Sequence, residues 1–357
     1  METNQTAIDQ SKLDAFVMRA IGDIASSYSG LMVSLGSKLG LYKELAGAGP
    51  LSAEELAARA ECAERYVREW LNAQAAAGYI DYHAANQTYE LSPEHALVLA
   101  DEDSPAYLPP AWNVPAALWF DEPKALEAFR TGKGVAWNEH DARLSCGVAA
   151  FYRNGYRASL VPQWLPALDG VVAQLEAGIE VADVGCGHGH STLLMAQAFP
   201  NSRFHGFDTH VASVAAARAE AERAGVGERV RFEPARAAEL PDHRYGLICF
   251  FDTLHDLGDP VAAARRAAEV LAPGGTVLLV EPFAHDRVED NLTPIGHLYY
   301  GGSTLVCCAH AISEGGTLVL GAQAGEARLR GIFREAGFTH FRRAAETPFN
   351  LILEVRR

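Results

Sequence analysis

The 357-residue chain reads as an α/β protein. An all-helical, winged-helix N-terminal part precedes a parallel sheet covered by helices on both faces. Three observations predict this. From residue 179 onward, short apolar runs alternate with helical stretches across glycine turns, the pattern of a parallel sheet buried on both sides. Before residue 100, apolar residues recur at helical spacing and then give way to two short strand-like pieces around a polar turn. The composition, 49% hydrophobic and 21% charged with 32 glycines, is that of an ordinary folded chain, and the length exceeds what one hydrophobic core usually serves, about 300 residues.

The first part spans residues 1–100. Leu56 and Ala57, then Val67, Trp70, Leu71 and Ala75, mark the buried faces of successive helices. Ser52 followed by Glu55 predicts a capping box that opens one of them. "YIDYH" and "TYELS" flank the turn-forming "AANQ" and predict the wing. A winged helix raises the question of DNA, but acids outnumber bases thirteen to seven over residues 1–100, and Arg65 and Arg68 share their helix with Glu61, Glu64 and Glu69. A groove-reading face should be basic. The expected role is therefore dimerisation and packing, and the apolar stretch "FVMRAIGDIASSYSGLMVSLGSKLGLY" suits helices buried against another subunit.

Residues 101–178 are rich in Trp, Phe, Tyr and Pro and read as a helical connector forming part of a lid. Residues 179–357 then alternate. "VADVG" leads to "HSTLLMAQAF", "RFHGFD" to "VASVAAARAEAERAG", "RVRFEP" follows, "YGLICFFD" leads to "PVAAARRAAEVL", and "GGTVLLVEP" closes the run. The tail adds a helix and a final antiparallel pair.

The formal net charge of −15 argues against a polyanionic partner. The opening "METNQTAIDQSK" lacks the layout of a signal peptide, and no run of about 18 uncharged apolar residues exists; a cytoplasmic protein is expected. The six cysteines form no CxxC or CxxH pattern, which suggests neither disulfides nor structural zinc.

The chemistry concentrates at "DVGCGHG", residues 183–189. Glycines at 185, 187 and 189 allow a sharp turn and close approach of a ligand. A G-x-G-x-x-G dinucleotide fingerprint fails at its last position, which is His190. Asp208, closing the second strand, stands where an acid accepts hydrogen bonds from ribose hydroxyls.

Asp-x-Gly-x-Gly-x-Gly with an acid closing the next strand resembles the S-adenosylmethionine site of class I methyltransferases. With "VREWLNAQAAAGYI", "FFDTLHDLGDP" and "FREAGF", nearly the whole chain is similar to bacterial methyltransferases with a winged-helix N-terminal domain, related to plant-type O-methyltransferases. The resemblance implies a Rossmann-like class I methyltransferase sheet after the all-helical, winged-helix domain, with S-adenosyl-L-methionine as cofactor. It places Asp183 near the methionine amino group, Gly185, Gly187 and Gly189 near its backbone, and Asp208 on the ribose; Thr209, Phe251 and Asp252, at the same strand ends, are further cofactor-binding candidates. The sequence departs from the family in two places: Ala235 and Arg236 stand where an acid contacts the adenine side, and Leu257 where Trp is usual.

In the plant-type enzymes a "HD" dipeptide supplies a histidine that takes the acceptor's proton, and His255 matches it. The sulfonium donor is already activated, so an in-line approach and removal of a proton remain. A phenol titrates near pH ~10 and an imidazole near ~6.5, so the ring is suited to the task. A loop histidine bonded to a backbone carbonyl would explain the same residue structurally, and the role of Asp256 stays open. Asp259 and Pro260 read as the start of the next helix. No metal is expected from His188, His190 and His255, which form no convincing ligand set. Trp112, Tyr152, Tyr156, His297 and Tyr300 are candidates to line an acceptor pocket, since rings give flat walls with a polar tip. The expectation is a homodimeric enzyme that methylates a small planar acceptor at oxygen. N- or C-methylation, or a regulator binding both S-adenosylmethionine and DNA, are the alternatives.

Overall fold

The computed structural model describes residues 8–357; the first seven residues of the polar opening segment lie outside the described residues. The chain forms two compact units that meet between Asn113 and Val114.

The first unit opens with α1 (Gln10–Lys38), capped by Asp9, whose carboxylate accepts from the Ser11 and Lys12 amides. Four shorter helices follow, α2 (Leu41–Leu45), α3 (Ala53–Arg59), α4 (Glu64–Ala76) and, after the hairpin β1 (Asp81–His83) and β2 (Thr88–Glu90), α5 (Pro93–Leu99). The Ser52–Glu55 capping box opens α3 as expected. The core gathers Leu41, Tyr42, Leu56, Val67, Trp70 and Leu71. Glycine 36 lets α1 approach α4, because a Cβ there would lie 2.4 Å from the Trp70 ring, and the Trp70 indole donates to the Met32 carbonyl at 2.8 Å. Arg65 is paired with Glu69, and Arg68 with Glu54 and Glu64. Both arginines of the would-be recognition helix are thus engaged by neighbouring acids.

The second unit carries α6 (Asn113–Phe120), α7 (Glu122–Thr131), α8 (Arg143–Ser159) and α9 (Val171–Ala177), then the alternating part. β3 (Glu180–Val184) leads to α10 (His190–Ala198), β4 (Arg203–Asp208) to α11 (Val211–Arg223), and β5 (Val230–Pro234) by a loop to β6 (Tyr245–Phe251). The helix α12 (Pro260–Val270) then leads to β7 (Leu271–Pro282). Two further helices, α13 (Pro294–Gly302) and α14 (Cys308–Ser313), precede α15 (Glu326–Glu335), β8 (His340–Glu346) and β9 (Asn350–Arg356). The seven strands run in the order β5-β4-β3-β6-β7-β9-β8, parallel from β5 to β7 and antiparallel at β9 and β8. One core lies on each face of this sheet, around Leu247, Cys249 and Phe251 on one side and Ile248, Phe250 and Ala263 on the other.

The chain leaves β3 toward β4 and β5 on one side, then returns to β6 and β7 on the other. The sequence order therefore reverses between β3 and β6, and open α/β sheets bind ligands beside such a switch point, at the carboxyl ends of the strands. Asp259 caps α12 through the Ala262 amide with Pro260 in the first turn, as expected. α12 stops at Val270, and Leu271 already pairs with Tyr245 before a bulge re-registers the strands at Leu247 and Thr276. Apolar burial of Leu271 extends the strand through the turn-forming residues.

Candidate active site

A cleft opens at the carboxyl ends of β3, β4 and β6, with α8 as one wall. Its floor is the glycine turn. Gly185, Gly187 and Gly189 take φ of +73°, +50° and +77°, a region that favours glycine. A Cβ on Gly185 would lie 2.2 Å from the Thr253 side chain and one on Gly189 2.6 Å from the Phe232 ring, whereas one on Gly187 would meet open space. Gly185 and Gly189 are thus required by packing. Gly187 leaves room on the cleft side.

Two acids hold this turn. Asp183 is fully buried, and its Oδ2 accepts from the Ser191 and Thr192 hydroxyls at 2.7 and 2.6 Å, while Oδ1 has no partner. Burial pushes its carboxyl up to about 6, against the pull of those hydroxyls. Asp208 accepts from the Gly187 amide through Oδ2 and from the His210 amide through Oδ1, both at 2.8 Å. A carboxylate offers about four acceptor positions, so capacity remains for two hydroxyls of a ligand.

At the end of β6, Asp252 lines the cleft with φ +49°, a conformation unusual for a residue with a side chain and one that collects at functional sites. Its Oδ1 accepts from Asn350 at 2.8 Å, and the Tyr152 and Tyr156 phenols lie beside its buried carboxyl. Burial, with Glu281 nearby, raises its carboxyl well above the usual range. Tyr152 and Tyr156 stack with ring centroids 5.6 Å apart, and Tyr156 leans on Phe251 at 5.5 Å. Burial, then the Asp252 charge, lifts both phenols well above 10. They are neutral walls.

His255 sits behind this wall, 4% exposed, in a short 3-10 turn. Its Nδ1 lies 2.6 Å from Glu281 Oε2, and the other Glu281 oxygen accepts from the Leu254 amide at 2.9 Å. Its Nε2 lies 3.0 Å from Asp256 Oδ1, but that oxygen has no aligned hydrogen bond. Burial disfavours the charged ring, yet the Asp256 and Glu281 carboxylates outweigh it and hold the imidazole well above its ordinary 6.5. The side chains beside it that line the cleft belong to Asp256 and Leu257.

The cleft therefore brings together Gly185, Gly187, Asp208, Thr209, Phe251 and Asp252 with Tyr152 and Tyr156. Asp183 lies buried beneath the turn, and Gly189 caps α10. Three candidates lie elsewhere. Trp112 belongs to the first unit, where its ring covers Gly30 of α1. His297 and Tyr300 lie on α13, exposed and half-buried, and do not line the cleft. The buried ring of that helix is Tyr299, whose hydroxyl donates to the Phe349 carbonyl at 2.7 Å. Aromatic character marked the helix but not which face turns inward.

Glu281 is not among the residues the sequence singles out, although it is the lone acid in the apolar "VLLVEP", and an acid in a buried strand is rare unless paired. The apolar wall made by Ala235, Ala237 and Leu257 was also unread. It suits a flat base where the acid of related sequences is absent. His188 and His190 enter the cleft too, and burial lowers both, His190 to about 4, so they carry no charge at neutral pH.

The residues fit a cationic amino-acid nucleoside. Asp252, which lines the cleft, suits an ammonium, Asp208 suits ribose hydroxyls, and the alanine wall suits a purine, with Asp183 buried beneath the turn. Gly187→Ala would place a methyl into this space and cost roughly 1–2 kcal/mol of backbone strain. We expect calorimetry to show lost nucleoside affinity in a variant that still folds. Gly185→Ala, clashing with Thr253, should lower the melting temperature as well.

Comparison with known proteins agrees with this geometry. Residues 27–101 match the Rv2258c-like winged HTH domain, and residues 175–337 match a methyltransferase domain. The chain is 36% identical to 27-O-demethylrifamycin SV methyltransferase of Amycolatopsis mediterranei, across 29% of this chain and 39% of that protein. It is 35% identical to trans-aconitate 2-methyltransferase of Paracidovorax citrulli, across 30% of this chain and 40% of that protein. The chain thus spans about two fifths of the length of these relatives. Among solved structures it resembles mitomycin 7-O-methyltransferase, with TM-score 0.69 and 18% identity over 97% of this chain and 100% of that one. Human N-acetylserotonin methyltransferase in complex with its S-adenosylmethionine gives 0.67 and 17%, over 98% and 99%. At such identities the likeness is one of fold.

Proposed function

We propose, from the chain's membership of the class I S-adenosylmethionine-dependent methyltransferases with an N-terminal winged-helix domain, that it transfers a methyl group to a hydroxyl of a small planar molecule, with His255 as general base. The single observation that carries the oxygen preference is the Glu281–His255 pair beside the cleft. S-adenosylmethionine, when bound, supplies an electrophilic methyl on a sulfonium.

The chain's own residues do the rest. Asp252 faces the ammonium end, Asp183 holds the turn from beneath, Asp208 holds the ribose, and Gly187 gives the ligand room. Tyr152 and Tyr156 form a flat, neutral wall against which an aromatic ring can lie. Glu281 accepts from Nδ1 and so fixes the ring with Nε2 as the proton-accepting atom, the same division of labour as a carboxylate that orients a catalytic histidine. Asp256 Oδ1, 3.0 Å away, and the Cys307 thiol neighbour that nitrogen, so an acceptor hydroxyl reaches it by displacing them. Since the base must be neutral and its pKa is raised, kcat/KM should fall as pH drops below a limb lying above pH 6.5. Glu281→Gln, which removes one of the charges raising the pKa, should move that limb toward acid. Screening hydroxylated aromatic metabolites for S-adenosylhomocysteine release tests the reading. Activity confined to amines or carbon acids would reject the hydroxyl.

We further propose a homodimer formed through α1. Val17, Ile21, Ile24, Tyr28, Leu31 and Leu35 repeat at alternating steps of four and three, the spacing of a helix–helix seam, and are 40–67% exposed. Such a stripe on a lone chain calls for a second helix. Light scattering should give twice the 38.4 kDa chain mass, and Ile24→Glu with Leu31→Glu should give monomers. No described helix is long and apolar enough to cross a membrane, and all six cysteines are free. Both features suit the cytoplasm.

A further inference from the structure

At the opposite end of the sheet from the cleft, three donors from separate parts of the sequence converge. Glu180 opens β3, His205 lies in mid β4, and His243 sits in the loop two residues before β6. The pairing of β3 with β4 sets Ala182 beside His205, and alternation puts Glu180, Ala182, His205 and Phe207 on one face. His205 Nε2 lies 2.7 Å and His243 Nε2 3.4 Å from the same oxygen, Glu180 Oε2. The three donor atoms lie within 4.8 Å of one another.

We propose that Glu180, His205 and His243 form a zinc site. Bonds of ~2.0–2.2 Å at tetrahedral angles put neighbouring donors about 3.3 Å apart, so the observed 2.7 and 3.4 Å separations need only a small adjustment. Both imidazoles already aim the same nitrogen at the carboxylate, and neutral imidazole with carboxylate is a common zinc donor set. The rings are held from behind. His205 stacks on Phe207 with centroids 6.3 Å apart, and Tyr245 lies 4.9 Å from His243 and 5.7 Å from His205. The side chains are 21–40% exposed, so an ion can enter and keep water as its fourth ligand. The ion would tie the loop before β6 to β3 and β4. The two histidines are 38 positions apart in sequence, which is why spacing alone showed no metal motif.

A hydrogen-bonded ion pair is the competing account, and the cluster of His255, Asp256 and Cys307 is the competing location. The test titrates zinc chloride into tag-free protein at about pH 7.5, since metal competes with protons for its ligands, with magnesium as control. One zinc per chain is expected. Affinity should fall at least ~10-fold in His205→Gln and in the more exposed His243→Asn, with circular dichroism of the zinc-free variants and S-adenosylmethionine affinity unchanged. Absence of zinc binding, or binding retained in both variants, would overturn the proposal. Binding lost instead in Cys307→Ser would place the ion in the buried His255–Asp256–Cys307 cluster and overturn it equally.

Discussion

Replacing His255 with Ala should lower turnover of a hydroxyl acceptor by about 10²–10⁴-fold, the usual share of a positioned base, while leaving S-adenosylmethionine affinity unchanged. The ring is buried and shares its Nδ1 proton with Glu281. Its removal also strands a buried carboxylate, which typically costs about 3–5 kcal/mol. A fall in melting temperature is therefore expected alongside the kinetic loss. His255→Asn keeps a donor toward Glu281 and separates the two effects: stability should recover, turnover should not. The pH profile gives an independent readout. A ring that merely braces the loop would leave the acid limb of kcat/KM unmoved in Glu281→Gln, whereas a base moves it.

Asp208→Ala should have the largest effect on binding. The carboxylate holds the Gly187 and His210 amides and would accept the two ribose hydroxyls. Hydrogen bonds to a charged group are worth about 1.5–3 kcal/mol each, so S-adenosylmethionine affinity should drop ~100-fold or more in calorimetry. Asp208→Asn, which retains one acceptor oxygen, should lose less. Equal affinities for both variants and the parent would remove Asp208 from the site.

Much of this could be read from the chain. The glycine turn, the acids at 183 and 208, the winged-helix hairpin and the Asp259–Pro260 helix start are local patterns, in which neighbours in sequence are neighbours in space. Glu281 escaped because its partner His255 is 26 positions away and only β6–β7 pairing joins them. His205 and His243 escaped for the same reason. The acceptor wall was half legible. Tyr152 and Tyr156 face the cleft because they are one helical turn apart on α8, while the equally aromatic Trp112 packs into the first unit and His297 faces solvent. Ring content does not encode direction. The α1 stripe was legible as apolar, and the structure adds that its own unit does not cover it.

The most direct measurement is a crystal structure with S-adenosylhomocysteine and a turned-over acceptor. The ribose hydroxyls should lie on Asp208, the amino group beside Asp252 on the side of Asp183, and the acceptor oxygen within hydrogen-bond reach of His255 Nε2. Density for the nucleoside elsewhere, or an acceptor whose reacting atom faces away from His255, would contradict it.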